Sequence, residues 1–156
     1  MGLINNILRK LFGKSQQTPS STNVFLGRWE KERTARIKTA EEQLKPWITA
    51  TVRAKGSLPF TWESGNDEAF VTFTDASDAE QDNFDALEAY IIDKLDIPDA
   101  GEFEMTGAGD IYIEHNAVKA KYSSTMKALI DYNEETEEAV YDEGEHDSAD
   151  VVLFII

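Results

Sequence analysis

Carboxylates are the chemistry this chain has in quantity. Thirty Asp and Glu stand against fifteen Lys and Arg, with two histidines, His115 and His146, and no cysteine. The missing thiols exclude disulfides, Cys-ligated zinc, iron–sulfur clusters and thiol nucleophiles. Metal binding or proton transfer would fall to carboxylates. The densest group is Asp142, Glu143, Glu145, His146 and Asp147. Calcium accepts such oxygens, but the EF-hand spacing is absent and Gly144 does not occupy that loop's sixth position, so the expectation is no metal site and no cofactor. His115 precedes Asn116 at an expected turn, without a Ser or Asp neighbour at a recognised triad spacing. Gly107-Ala108-Gly109 lacks the later glycine of a phosphate-binding loop and reads as a hairpin turn between two strands. No P-loop, nucleophile elbow or zincin helix pattern occurs. No residue is therefore given a catalytic role, and the chain is expected not to be an enzyme.

The carboxylates are unevenly placed. Residues 1–55 hold eleven Lys/Arg and four Asp/Glu, a balance of +7, whereas residues 56–156 hold four and twenty-six, a balance of −22. A body so negative does not bind nucleic acid through phosphates, which needs clustered Lys and Arg. It suits a basic protein partner, reached at a rate that falls as salt rises. Two stretches carry the candidate surface. One is the acidic face of an expected helix, with Asp82, Asp85, Glu88 and Asp93. The other is the run with Glu134, Glu135, Glu137, Glu138, Asp142, Glu143 and Glu145; residues 131–150 hold ten acids and no Lys or Arg. Such a run reads as a solvated helix face or loose loop. Trp62, near the polar turn at Gly65, is the tryptophan best placed to be an exposed anchor.

The elements that would carry these residues follow from periodicity. Leu3, Ile4, Ile7, Leu8, Leu11 and Phe12 form a helical stripe, with Arg9 and Lys10 on the other side. At 1.5 Å per residue this helix of about 18 Å is too short to span a bilayer. It reads as neither a signal peptide nor a myristoylation site. Residues 14–23 have linker composition. The expected organisation is an amphipathic helix over 1–13, a flexible linker over 14–23 and one acidic domain over 24–156.

Within that domain, residues 24–45 suggest a helix closed by Pro46. Trp47–Val52, Leu58–Trp62 and Ala69–Thr74 then suggest a three-stranded meander around the turn Ser64-Gly65-Asn66-Asp67. Ser77 and Glu80 have capping-box spacing ahead of Phe84, Leu87, Ile91 and Leu95, the clearest helix pattern in the chain. Further strands are expected over 102–122, a short helix over 123–130, and a strand over Val151–Ile156 covered on both faces. The fold expectation is α+β, with one largely antiparallel sheet of about six or seven strands and helices on one face.

The functional expectation is a non-catalytic protein-binding module: an acidic immunity or inhibitor protein, cytoplasmic, covering a basic site on a partner such as a nuclease-type toxin. One alternative is a peripheral membrane or complex-anchored protein, its N-terminal helix making weak contact with the inner membrane surface. A second is a small enzyme of unknown reaction.

Overall fold

The computed structural model describes residues 21–99 and 103–156. The chain falls into two units, one ending at Thr34 and one running from Ala35 to Ile156. The second contains the core. It is α+β: a helix, a two-stranded hairpin, a second helix and three long strands, all strands in one antiparallel sheet. The first helix, α1, spans Ser21–Lys55. Strands β1 (Ser57–Gly65) and β2 (Glu68–Phe73) follow. A 3-10 turn over Asp78–Glu80 leads into α2 (Gln81–Leu95). Then come β3 (Phe103–Glu114), β4 (Ala117–Asn133) and β5 (Glu138–Ile155). Among the described residues the sheet has five strands in the order β2-β1-β3-β4-β5.

Pro46 does not close α1. The helix continues through it to Lys55, and the β-branched segment Trp47–Val52 is helical rather than a strand. Leu44, Ile48 and Val52 lie four residues apart and are 4%, 0% and 1% exposed, so the stripe reads across the proline. Burying three such side chains, at about 1.5–3 kcal/mol each, outweighs the roughly 3 kcal/mol cost of an internal proline. Thr49 Oγ1 also donates to the Lys45 carbonyl at 2.7 Å.

The sheet is built on period two. Leu58, Phe60, Trp62 and Ser64 of β1 face the helices, as do Val71 and Phe73 of β2. Asn66 and Asp67 both take positive φ, 53° and 62°, as a two-residue type I′ hairpin requires. The β3–β4 hairpin turns at His115, with φ 55° and an exposed side chain. Ile111, Val118, Ala120 and Leu153 extend the same apolar layer, and Phe84, Leu87, Tyr90 and Ile91 of α2 close it from above.

Five expectations change. Gly107 and Gly109 are not a turn: β3 is continuous from Phe103 to Glu114. A Cβ on Gly107 would lie 2.1 Å from the Trp62 ring, and one on Gly109 would press on the Lys121 carbonyl oxygen of β4, nearest of all, and lie 2.8 Å from the Phe60 ring. Glycine is thus required at 107 by the indole packed against the strand, and at 109 by the neighbouring strand's backbone together with the Phe60 ring. Residues 123–130 belong to β4 rather than to a helix, and the acidic run is β structure rather than loop. The C-terminal strand is an edge strand covered on one face, with Val152 and Ile155 47% and 59% exposed. A bulge opposite Val118/Lys119 turns both Leu153 and Phe154 inward and breaks the alternation. Ser77 makes no side-chain cap; Glu80 instead accepts from Trp47 Nε1 at 3.0 Å.

No helix among the described residues is long and apolar enough to cross a membrane. The stripe of Leu3, Ile4, Ile7, Leu8, Arg9, Lys10, Leu11 and Phe12 lies outside the described residues. Of the segment read as linker, residues 21–23 belong to α1.

Candidate functional site

Among the described residues, β4 and β5 outrun the rest of the sheet. The last residue of β4 paired with β3 is Ala128, opposite Phe103, yet β4–β5 pairing continues to Asn133 opposite Glu138. Among the described residues, Leu129–Asn133 and their partners therefore form a two-stranded arm, about 17 Å long at ~3.4 Å per residue. At its tip the Asn133 side-chain oxygen accepts from the amides of Glu135 and Thr136, at 3.0 and 3.3 Å, and Glu137 takes φ 56°. These features close the loop over Glu134–Glu137 as an Asx turn.

A bulge at Ile130 sets what the arm displays. Leu129 opposes Tyr141, but Asp131 opposes Val140, so β4 gains one residue. This resets the parity of the strand, so Leu129 and Tyr132, three apart, share a face with Tyr141. That face is continuous with the side of the sheet turned away from the helices. Leu129, Tyr132 and Tyr141 are all about half exposed. The other face of the arm carries Asp131, Glu138, Val140 and Asp142 by the same register. The arm thus has an apolar, aromatic side with a carboxylate side behind it.

Its electrostatics differ from those at the base of β5. There, Asp150 accepts from the Tyr112 hydroxyl at 2.7 Å and pairs with Lys119 at 3.1 Å. The Tyr112 hydrogen bond and the Lys119 charge hold its carboxyl below the usual carboxylate range, while the Tyr112 hydroxyl is raised. Tyr122 donates to Asp147 at 3.4 Å, and burial together with that carboxylate raises its hydroxyl. Towards the tip this neutralisation stops. Among the described residues, Asp131, Glu134, Glu135, Glu137, Glu138, Asp142 and Glu143 enter no ion pair. The side chain of Glu145 lies outside the described ones.

Two of the four acids on the helix face expected to share this role are engaged within the fold. Asp93 receives two hydrogen bonds from the Arg36 guanidinium, at 2.9 and 3.0 Å. Glu88 accepts the amide of Val71 at 3.2 Å, capping the free edge of β2. Asp82 and Asp85 are exposed, Asp85 accepting from Gln81 at 2.6 Å. Trp62 is not a surface anchor: it is 3% exposed, stacked at 6.2 Å on Phe60 and edge-on at 5.5 Å to Tyr122. Its neighbourhood to the polar turn misled because β1 sends every second residue into the core up to Ser64. Sequence reasoning missed Leu129, Tyr132 and Tyr141. Their signal was present as alternation interrupted by a bulge, which no spacing rule reveals before the pairing is known.

One recess gathers polar groups. Asp96, Tyr122, Ser124 and Asp147 meet Trp62, Leu95, Pro98 and Met105 around about 160 Å³. Ser124 is itself bonded, weakly, to the Asp147 carbonyl at 3.4 Å. A tyrosine held protonated beside a carboxylate is a hydrogen-bond donor rather than a base, and no nucleophile–base pair stands among the described residues that line the recess. No group of three or more His, Asp or Glu among the described residues is placed to hold a metal ion.

No protein-family model, curated protein or solved structure matches the chain.

Proposed function

We propose that this protein is a non-catalytic binding module whose β4–β5 arm covers a basic surface on a partner protein, in the manner of an acidic inhibitor or immunity protein acting in the cytoplasm. The observation that carries this reading is the arm itself: among the described residues, a two-stranded hairpin end with half-exposed Leu129, Tyr132 and Tyr141 on one face and, behind them and at the tip, carboxylates that enter no ion pair. Solvent-exposed apolar side chains grouped in this way mark interaction surfaces, and an apolar centre with a charged rim is the anatomy of a specific interface. The charge also argues against a second copy as the occupant, because two such edges would meet carboxylate to carboxylate.

The test is affinity capture from the source cell, followed by association kinetics of the captured protein against ionic strength. The expected partner is basic, its association slows by roughly tenfold or more between low and physiological salt, and Glu134, Glu135, Glu137 and Glu138 changed together to Gln remove most of that dependence. Capture of only neutral or acidic proteins, or an association rate indifferent to salt or to the four substitutions, refutes the proposal.

A second reading rests on the start of α1, where Phe25, Leu26 and Trp29 are 67%, 53% and 42% exposed. These would continue an N-terminal attachment to a membrane surface or a larger complex. Flotation with anionic liposomes, compared with a chain lacking residues 1–14, tests it; identical flotation of the two refutes it.

A further inference from the structure

The aromatic face of the arm already holds a cation. Lys127 Nζ sits 4.4 Å from the centre of the Tyr141 ring and 3.9 Å from a Glu104 carboxylate oxygen. By register Lys127 also lies directly between Glu104 on β3 and Glu143 on β5. It is the only Lys or Arg between Tyr122 and the C-terminus. These are the parts of a cation-binding subsite: a ring face for the charge, a paired carboxylate on β3, and a second carboxylate opposite on β5 by register.

Lysine is a poor permanent occupant of such a place. Its ammonium is compact and strongly hydrated, and both it and the ring remain about half exposed. A guanidinium fits better. It stacks on the ring plane, forks onto a carboxylate and gives up hydration more readily. Building on the docking role above, we infer that Tyr141, Glu104 and Glu143 form a guanidinium-reading subsite that Lys127 occupies in the free protein, and that the partner inserts an arginine there by displacing Lys127. Lys127 thereby keeps an aromatic patch from standing bare, and it penalises any partner whose cation at this point is a lysine.

The probes are short oligoarginine and oligolysine peptides of equal length and charge, titrated against the full-length protein with NMR or fluorescence readout. The oligoarginine peptide is expected to bind roughly three- to tenfold more tightly, shifting the Tyr141 ring resonances. Lys127→Met is expected to tighten oligoarginine binding by a further several-fold by vacating the ring. Tyr141→Leu keeps the apolar bulk and the charge, and is expected to abolish the preference for arginine while leaving salt-dependent binding of both peptides. Equal affinity for the two peptides, or no gain in Lys127→Met, overturns the subsite and leaves the acidic docking role standing. Absence of salt-dependent binding by either peptide overturns both. Circular dichroism of each variant confirms that the fold is retained, and Tyr141→Phe, which preserves the ring, should behave as the parent.

Discussion

Gly107→Ala adds one carbon where the structure has no room for it. The new Cβ would lie 2.1–2.3 Å from three carbons of the Trp62 indole, more than an ångström inside ordinary contact. The obstacle is the six-membered ring of an indole that is 3% exposed and held between Phe60 and Tyr122, not the end of a flexible side chain. Ordinarily a strand glycine changed to alanine gains about 0.5–1 kcal/mol through reduced backbone entropy. Here overpacking costs about 1–3 kcal/mol if the indole shifts. If it is expelled instead, losing the burial of ~200 Å² at about 25 cal/mol per Å² costs nearer 5 kcal/mol. The net expectation is a destabilisation of about 2–4 kcal/mol, a large part of a typical domain's stability. Urea unfolding followed by far-UV circular dichroism reads this without relying on Trp62 fluorescence. Gly144 provides the control, because nothing lies within 4 Å of a Cβ built there and its φ is not positive. Gly144→Ala should be neutral or stabilising by up to about 1 kcal/mol. The double variant is decisive: with Trp62→Leu already in place, Gly107→Ala should cost less than about 0.5 kcal/mol more. A neutral Gly107→Ala, or one whose cost is unchanged when Trp62 is leucine, would refute the packing argument.

Three further outcomes follow from the same contacts. Glu88→Ala removes the acceptor for the Val71 amide and should cost about 1–2 kcal/mol in urea unfolding, with Glu88→Gln close to the parent because the acceptor oxygen remains. Asp93→Asn weakens the Arg36 pair between α1 and α2; with Arg36 half exposed, the loss should be at most about 1 kcal/mol and should shrink in high salt. Stability should fall as pH rises past about 10: the hydroxyls of Tyr90, Tyr112 and Tyr122 and the Lys119 ammonium are raised above their ordinary values of 10.0 and 10.5, so the folded chain holds protons that the unfolded chain releases. That contribution is complete below the ordinary values and is lost as pH climbs through the raised ones. Tyr112→Phe should make the alkaline decline shallower in thermal melts, and an unchanged decline would count against it.

What was legible in the sequence depended on how local the signal was. The type I′ turn at Asn66-Asp67 is a two-residue matter, and α2 announces itself through Phe84, Leu87 and Ile91 on one face. The α+β class and the single antiparallel sheet follow from those alternations. The excess of carboxylates at the C-terminal end is a property of composition alone. Other features needed the third dimension, because their cause lies in residues distant along the chain. Pro46 stays inside α1 since Leu44, Ile48 and Val52 share a core with α2 and the sheet. Gly107 sits in mid-strand because an indole forty-five positions earlier fills the space a side chain would take. Two of the four acids on α2 belong to internal pairings, with Arg36 and with the Val71 amide. The arm was hidden twice over. Its acids disguise a hairpin as a loop, since charge repels in any conformation and says nothing of pairing. Its aromatic face exists only because one extra residue at Ile130 turns Leu129 and Tyr132 the same way, a parity that pairing with β5 decides and the order of residues does not.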